Sequence, residues 1–274
     1  MRIALLQMTS GIDPAVNARV LADAIGDARA QGAAMVFTPE MSGLIDRDRA
    51  RAARSIADEG DDRVLAAVRE AAATHGLWVQ LGSLAIKRAD GRLANRAFVI
   101  DDRGAIRARY DKVHLFDVDL PTGERWRESA AYAPGEEAVV VETAAGSLGL
   151  SICYDLRFPA LYQALSAAGA TSLAIPSAFT RPTGAAHWHV LMRARAIESA
   201  AFVIAAAQTG LHEDGRETFG HSLVVDPWGE VLLDMGEPAG LAVVDLDPSR
   251  VAEVRSRLPV IAHRRAIAPV GRVS

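Results

Sequence analysis

Short apolar runs alternate with longer segments of helical periodicity along most of the chain. This alternation predicts βαβ units and an α/β sheet. The predicted strands and apolar runs cover 2–8, 34–37, 77–81, 94–100, 105–110, 147–152, 171–175, 201–207, 222–225 and 230–234. The predicted helices cover 13–32, 61–75, 159–168 and 187–199. The first helix has a start signal, because Asp13 suits an N-cap and Pro14 suits the first helical position.

Two pairs of segments resemble each other across the two halves of the chain. FVIDDRG (98–104) matches VVDPWG (224–229), and VFTP (36–39) matches LAIP (173–176). Hairpin turns favour Gly and Asp for steric reasons, so the first likeness is less informative than its length suggests. We nevertheless expect two related halves that form two packed sheets.

The chain shows no low-complexity linker and no shift in composition that would mark a domain boundary. Since α/β folds of this size are common as one unit, the sequence predicts a single domain over 1–274. The longest irregular segment covers 117–135, and such a loop in a compact domain is usually functional or disordered. The tail over 258–274 has few periodic apolar residues, and we expect it to pack on a partner subunit.

Composition and charge exclude several classes of function. The net charge of −4 and the pI near 6.0 give no electrostatic reason to bind nucleic acid or an anionic membrane. The longest apolar run, 200–207, is far shorter than a membrane span, and the N-terminal run is too short for a signal peptide. The single cysteine permits no intrachain disulfide and suits a reducing compartment. We expect a soluble, cytoplasmic protein.

Three side chains stand at the presumed ends of strands, where loops of an α/β sheet assemble ligand sites: Glu40, Lys112 and Cys153. Each has an ordinary structural interpretation when taken alone, since a lone cysteine is usually a small buried apolar residue and lysine or glutamate is usually solvated. Cys153 precedes YDLRFP, a segment that predicts a turn leading into a helix. Backbone N–H groups there are expected to lower the pKa of the thiol and to bind an oxyanion.

Seven segments, in order, resemble the nitrilase superfamily of carbon–nitrogen hydrolases. They are FTPEMSG (37–43), YDKVHLFDVDLP (110–121), RESAAYAPG (127–135), SICYDLRFP (151–159), PSAFTRPTGAAHW (176–188), RARAIES (193–199) and GHSLVVDPWGE (220–230). The resemblance covers nearly the whole chain. It implies an α/β fold of the nitrilase type, a four-layer α-β-β-α sandwich with two pseudo-symmetric halves. CYDLRFP resembles the amidase branch, and LRFP, RARAIES and the LPVIAHRR ending (258–265) are most similar to deaminated glutathione amidases, with ω-amidases next.

The resemblance also implies roles for individual residues. Cys153 would be the nucleophile that forms a thioester, and Glu40 would be the general base and acid. Lys112 and the backbone N–H of Tyr154 would hold the oxyanion. Glu128 matches the family's second glutamate and would orient Lys112 or the substrate amide. We expect the two nearby carboxylates to keep the pKa of Glu40 high.

The implied substrates carry a carboxylate away from the scissile amide, so the site needs a cation. Arg157 follows the nucleophile by four positions and can hold a carboxylate with two hydrogen bonds. Phe179 and Thr183 match pocket-lining positions of similar amidases, whereas Arg181 either tunes specificity or faces water. Deaminated glutathione is the first expected substrate. The alternatives are an ω-amidase acting on α-ketoglutaramate or α-ketosuccinamate, a carbamoyl-amide or nitrile hydrolase, and a catalytically silent scaffold.

No cofactor and no metal site are expected. His187 and His189 would project from different faces of a helix, and no third ligand stands at a recognisable zinc spacing. The expected partners are a small amide substrate and further copies of the chain, in a homodimer or a larger homo-oligomer.

Overall fold

A computed structural model of the chain describes residues 1–119, 123 and 125–272. Its strands are β1 (Arg2–Gln7), β2 (Met35–Phe37), β3 (Trp78–Lys87), β4 (Leu93–Ile100), β5 (Ile106–Asp111), β6 (Asp117–Asp119), β7 (Arg125–Arg127), β8 (Val140–Thr143), β9 (Gly146–Leu150), β10 (Ser172–Ala174), β11 (Phe202–Ala205), β12 (Thr209–Leu211), β13 (Glu217–Phe219), β14 (Leu223–Val225), β15 (Val231–Asp234) and β16 (Gly240–Asp245). Its helices are α1 (Pro14–Ala30), α2 (Arg49–Ala52), α3 (Arg63–His75), α4 (Pro159–Ala167), α5 (Arg181–Ser199) and α6 (Ser249–Arg257). Two 3₁₀ turns cover Glu128–Ala130 and Cys153–Arg157.

Two six-stranded sheets repeat the same plan. The first has the order β16-β1-β2-β3-β4-β5, and the second has the order β8-β9-β10-β11-β14-β15. In each sheet three consecutive strands are parallel, an antiparallel strand borders them on one side, and an antiparallel hairpin completes the other side. The hairpin turns at 101–104 and 226–229 occupy equivalent places, which confirms the two pseudo-symmetric halves expected from the sequence.

The two sheets lie between two helical layers. Successive side chains of β1 point alternately into two different cores, which shows what covers each face of its sheet. Ile3 and Leu5 join a core that also contains apolar residues of β9, β10, α4 and α5. Ala4 and Leu6 join a second core, built with α1 and α3. Because both faces of β1 are buried, its sequence is a continuous apolar run rather than an alternating one. The predicted four-layer α-β-β-α sandwich is therefore confirmed.

The helix starts follow from local chemistry. Asp13 accepts a hydrogen bond from the Ala15 N–H at 2.8 Å, as an N-cap does, and Pro14 opens α1. The helix α5 begins at Arg181 rather than at the predicted His187. Pro182 lies in its first turn, where the missing N–H of proline is harmless, so a residue that usually breaks helices instead begins this one.

Several elements were absent from the sequence prediction. The segment 117–135 contains the β6–β7 hairpin and a 3₁₀ turn, although residues 120–122 and 124 lie outside the described residues. The short hairpin β12–β13 and the last elements, β16 and α6, were also missed. The strand β16 pairs with β1, from the opposite end of the chain. Such a pairing depends on the tertiary fold and leaves little local signal.

The C-terminal tail contacts its own chain before it becomes exposed. Arg264 donates hydrogen bonds to the carbonyls of Gln163 and Glu198, on α4 and α5. Farther along, Ile267 and Val270 are about nine-tenths exposed. Packing of this tail on a partner subunit stays a prediction. Among the described residues, no helix is long and apolar enough to cross a lipid bilayer.

Candidate active site

The polar residues predicted from sequence meet at one edge of the two sheets. Because β3–β4 and β4–β5 are both antiparallel pairs, β5 runs in the same direction as the parallel strands β2 and β3. Glu40 follows β2 and Lys112 follows β5, so both emerge at the same edge. Cys153 follows β9 of the second sheet. The backbone after β10 also reaches this point, since the Ala178 N–H donates to Glu40 Oε2 at 2.9 Å.

A bulge in β3 holds the Glu40 loop. The pairing of β3 with β4 shifts register between Leu81 and Leu84, which frees the intervening backbone to bind the loop. The Gly82 N–H donates to the Thr38 hydroxyl at 2.9 Å, and the Ser83 carbonyl accepts the Ser42 N–H at 3.0 Å. A Cβ on Gly82 would lie 2.1 Å from the Thr38 carbonyl oxygen, so only glycine permits this approach.

Cys153 stands on a strained turn. Its φ of 48° lies in the left-handed region, which is rare for a residue other than glycine and typical of functional sites. The Cys153 N–H donates to the Pro176 carbonyl at 2.9 Å. The Tyr154 N–H donates to no backbone carbonyl in the described part of the chain and remains available to a ligand.

The buried carboxylate of Asp155 fixes this turn. It accepts hydrogen bonds from the Ile152 N–H, the Tyr110 hydroxyl and the His114 N–H at 2.9, 2.7 and 2.9 Å. The His114 ring also contacts it at 2.7 Å. Asp155 thereby ties the turn that contains Cys153 to the strand that ends next to Lys112.

Lys112 lies between two carboxylates. Its Nζ is 2.9 Å from Glu40 Oε1 and 3.0 Å from Glu128 Oε2, and its side chain is only 2% exposed. Asn95 completes the arrangement, because its Nδ2 donates to both Glu40 and Glu128, at 2.9 and 3.0 Å. Glu128 is itself anchored by the Phe116 N–H at 2.7 Å. The four predicted catalytic side chains therefore lie together, with Asn95 among them.

The pKa values of Glu40 and Cys153 are shifted in the opposite directions to those predicted from the sequence. Burial raises the pKa of Glu40, but the Lys112 charge and hydrogen bonds from Cys153, Lys112 and Asn95 outweigh it, so the pKa lies below the ordinary value of 4.5. The expectation of a high pKa was wrong, because Lys112 separates the two carboxylates. Burial and the neighbouring Glu40 charge raise the pKa of Cys153 well above its ordinary value. The Lys112 charge and the Ala178 N–H lower the pKa of Cys153, but by less than burial and Glu40 raise it. The expected net lowering by backbone N–H groups is thus also wrong, and the resting thiol is protonated.

The Lys112 ammonium remains charged. Burial lowers the pKa of Lys112, but the charges of Glu128 and Glu40 raise it by more, so the pKa lies well above its ordinary value. The resting site thus contains an ionised Glu40, a cationic Lys112 and a neutral thiol that lines the same cavity as Glu40. A carboxylate next to a thiol, with a fixed cation beside them, is an arrangement for general-base activation of a nucleophile.

A cavity of about 830 Å³ opens onto these groups, within the size range of small-molecule sites. Arg157, Phe179 and Thr183 line it, as predicted. The Arg157 guanidinium lies over the Phe179 ring, 5.3 Å from its centroid. The Thr183 hydroxyl is paired with that of Thr180 at 2.8 Å, at the start of α5. Arg181 instead forms exposed ion pairs, the shorter with Glu237 at 2.8 Å.

Comparison with known proteins agrees with this geometry. A family model described as carbon-nitrogen hydrolase matches residues 2–256. The chain belongs to the carbon-nitrogen hydrolase family. A Yersinia enterocolitica member named deaminated glutathione amidase is 37% identical over 268 residues, covering 97% of this chain and 93% of its own length.

Solved structures of related proteins match the fold. The Caenorhabditis elegans NitFhit protein has a TM-score of 0.89 and 40% identity, covering 96% of this chain and 65% of that chain. A Nesterenkonia amidase has a TM-score of 0.79 and 30% identity, covering 94% of this chain and 98% of that chain. That structure is of a mutant in which acrylamide has added to the active-site cysteine. The same amidase is described as a nitrilase-superfamily member.

In this carbon-nitrogen hydrolase, sequence reasoning missed Asn95, Trp126 and Arg216. Asn95 lies near the start of β4, where a polar residue in an apolar strand was the available signal. Trp126 and Arg216 line the same cavity, although they belong to the short strand β7 and to the turn between β12 and β13. Their proximity to Glu40, Lys112 and Cys153 depends on tertiary contacts that local sequence does not reveal.

The histidines behave partly as expected. His187 and His189 do project differently, since His187 contacts Arg157 and His189 contacts Asp234. His189 nevertheless meets two further groups that can bind a metal, because His221 also pairs with Asp234, at 2.9 Å. Sequence spacing gave no sign of this cluster. The rings of His189 and His221 each hydrogen-bond to the Asp234 carboxylate, and the contact of His189 with Asp234 joins α5 to the end of β15.

Proposed function

We propose that this protein is a cysteine-dependent amidase that hydrolyses a small, carboxylate-bearing amide through a thioester intermediate. The observation that carries the proposal is that Cys153, Glu40 and Lys112 are buried together at one cavity, where Lys112 Nζ lies 2.9 Å from Glu40 Oε1 and the Glu40 charge raises the pKa of Cys153. Membership of the carbon-nitrogen hydrolase family supports the reaction class. The acrylamide adduct at the active-site cysteine of the related Nesterenkonia amidase supports a cysteine nucleophile.

The first half of the proposed reaction forms the thioester. Glu40 takes the thiol proton while Cys153 Sγ attacks the amide carbon. Lys112 Nζ and the Tyr154 N–H donate to the oxygen that becomes negative; one such donor typically contributes a factor of about 10²–10³ in rate. Glu40 then transfers its proton to the departing nitrogen, the C–N bond breaks, and the amine leaves.

The second half hydrolyses the thioester. Glu40, again ionised, removes a proton from water as the water oxygen attacks the carbonyl carbon. The C–S bond breaks, the acid is released, and the proton on Glu40 returns to Cys153. The low pKa of Glu40 keeps this carboxylate ionised at neutral pH, as both halves require. Glu128 holds Lys112 through two contacts, at 3.0 and 3.2 Å, so its proposed role is to position the cation.

Deaminated glutathione is the proposed substrate, as the names of several relatives suggest. Arg157 supports a carboxylate-bearing substrate, because it lines the cavity and stacks on aromatic rings, and its one polar side-chain contact among the described residues is His187. In this proposal Arg157 binds the keto-acid carboxylate, and Phe179 and Thr183 shape the pocket around it.

We also propose a homodimer or larger homo-oligomer in the cytoplasm. On α5, Val190 and Ile197 are 69% and 41% exposed, and Trp228, in the turn that α5 contacts, is 55% exposed. Large apolar side chains at a surface often mark a contact with another subunit. A catalytic thiol suits a reducing compartment. Light scattering after size-exclusion chromatography tests the assembly; a monomer at micromolar concentration would contradict it.

The activity is tested by incubating the protein with deaminated glutathione and, separately, with α-ketoglutaramate. Released cysteinylglycine and ammonia are then measured. We expect turnover of deaminated glutathione to exceed that of α-ketoglutaramate, and Cys153→Ala to reduce both to background while the circular dichroism spectrum is unchanged. Activity that survives in Cys153→Ala would refute the mechanism, whereas a preference for α-ketoglutaramate would make the protein an ω-amidase.

A further inference from the structure

The substrate cavity has positively charged residues on two different walls. Arg157 belongs to the wall formed by the nucleophile turn and α5, where it contacts Tyr154 and Phe179. Arg216 belongs to another wall, where its guanidinium lies over the Trp126 ring, 4.7 Å from the centroid. The proposed function assigns a ligand to Arg157 and leaves Arg216 without a role.

Arg216 is largely buried and incompletely bonded. Its side chain is 18% exposed, and its Nη2 lies 3.4 Å from Asp214 in a long ion pair. Arg47 places a second guanidinium 5.3 Å from the centroid of the same Trp126 ring. Burial lowers the pKa of Arg216, the Asp214 charge opposes this, and the charge of Arg47 lowers it further. A guanidinium that is largely buried and incompletely bonded, as Arg216 is, favours an anion beside it.

Two hydrogen-bond donors in this part of the cavity have no acceptor. Arg216 Nε and Trp126 Nε1 are both buried without a hydrogen-bond partner in the described part of the chain. Buried donors in proteins are nearly always paired, and an exception needs an explanation. A ligand with carboxylate oxygens supplies the missing acceptors and compensates the positive charge, after small adjustments of the two side chains.

The neighbouring arginines differ from Arg216. The Arg92 guanidinium donates to the carbonyls of Ser129 and Tyr132, and Arg49 donates to the carbonyl of Arg127. These side chains hold the cavity wall together through the backbone. The Arg216 side chain makes no hydrogen bond of this kind among the described residues, which leaves it as the candidate for binding a ligand.

The position of Glu40 indicates which part of a substrate lies near Arg216. In the proposed mechanism Glu40 gives its proton to the departing nitrogen, so the leaving group lies on the Glu40 side of the scissile bond. Glu40, Arg216 and Tyr132 line the same cavity. Deaminated glutathione carries a carboxylate on each side of its scissile amide, one on the keto acid and one on the cysteinylglycine that leaves.

We propose that Arg216, together with Arg47 and Trp126, forms a second carboxylate subsite that binds the C-terminal carboxylate of a dipeptide leaving group. Arg157 then binds the acyl part, and the two subsites together select an amide charged at both ends. This inference rests on the proposed function and extends it, because it separates recognition of the leaving group from recognition of the acyl group.

The test compares Arg216→Gln with wild type on two amides that share an acyl group. One is deaminated glutathione, and the other is α-ketoglutaramate, whose leaving group is ammonia. We expect the ratio of kcat/KM values, deaminated glutathione over α-ketoglutaramate, to fall about 10–100-fold, mainly through KM, because a charge-assisted contact is lost. Arg157→Gln should reduce both values, and Arg19→Gln, an exposed arginine outside the cavity, should change neither.

A second measurement uses the wild-type enzyme and therefore does not depend on how the variant folds. Deaminated glutathione with its C-terminal carboxylate converted to a carboxamide should lose about the same factor in wild type and little more in Arg216→Gln. Equal losses on both substrates in Arg216→Gln, or wild type that accepts the carboxamide as well as the acid, would overturn the subsite alone. Wild type that hydrolyses neither amide would overturn the proposed function and the subsite with it.

Discussion

Lys112 Nζ lies 2.9 Å from Glu40 Oε1, in a pair whose side chains are 2% and 6% exposed. Glu128 contacts the same ammonium from the other side, so one buried cation serves two carboxylates. Burying charges is unfavourable. The fold tolerates these three buried charges because the Lys112 ammonium compensates the negative charges of the two carboxylates. In the proposed mechanism the pair therefore links catalysis to folding, and a change in one residue should affect both.

Replacement of Lys112 by Met should destabilise the fold and reduce activity. Breaking a buried ion pair typically costs about 3–5 kcal/mol, and loss of an oxyanion donor reduces kcat by about 10²–10³-fold. Without the cation, burial raises the pKa of Glu40 and part of the base is lost. Urea unfolding and kcat measure the two effects. The double variant Lys112→Met, Glu128→Gln should recover part of the stability and none of the activity; recovery of activity would exclude the oxyanion role.

Two replacements of Asn95 should distinguish its role in positioning Glu40 and Glu128 from the effect of charge near Lys112. Asn95→Ala removes a donor to both carboxylates, and misplacement of catalytic groups by about 1 Å can reduce the rate about 10²-fold. We expect a fall in kcat of about 10–100-fold with little change in KM. Asn95→Asp should be worse than Asn95→Ala, since it adds a third carboxylate around Lys112. Equal effects of the two variants would show that Asn95 acts only through packing.

The pH dependence follows from the directions of two pKa shifts. The active form has an ionised Glu40, whose pKa lies below 4.5, and a protonated Cys153, whose pKa lies above 9.0. We therefore expect kcat/KM to be flat between these values, measured with buffers of constant ionic strength. An acid limb near neutrality would contradict the ionised resting state of Glu40.

The same shift predicts how stability depends on pH. A depressed folded-state pKa contributes stability above the unfolded-state pKa, which is lost as the pH falls through the folded-state value. Glu40 should therefore contribute stability above about pH 4.5 and lose it below. Urea midpoints of wild type and Glu40→Gln, measured from neutral to acid pH, should converge as the pH falls. A constant difference would contradict this assignment.

Gly82 should be intolerant of a side chain. A Cβ there would lie 2.1 and 2.2 Å from the Thr38 and Pro39 carbonyl oxygens, which are backbone atoms of the Glu40 loop. Overpacking of this kind typically costs about 1–3 kcal/mol, and here it also displaces Glu40, the proposed general base. We expect Gly82→Ala to lower both Tm and kcat. Gly240→Ala, where no atom lies within 4 Å, is the matched control and should retain wild-type activity.

Most of the fold could be predicted from the sequence because short apolar runs alternate regularly with segments of helical periodicity. The parallel strands β1, β2, β9 and β10 lie within the packed sheets, and strands buried on both faces appear as continuous apolar runs. The helix start at Asp13 and Pro14 is local chemistry and was predicted correctly. By contrast, β16 and the β12–β13 hairpin are stabilised by residues far away in the chain, so their own sequence gave too little signal.

The sequence by itself determined which residue types stand after which strands, and so brought Glu40, Lys112 and Cys153 forward as candidates on an α/β scaffold. Its resemblance to the nitrilase superfamily added Glu128. Only the tertiary structure decided their protonation. The pKa of a buried group depends on which charges lie within a few ångströms, and Lys112 lies between Glu40 and Glu128, which sequence order does not reveal. The tertiary structure alone likewise placed Asn95 beside both carboxylates and Arg216 over Trp126, since these contacts join segments that are distant along the chain.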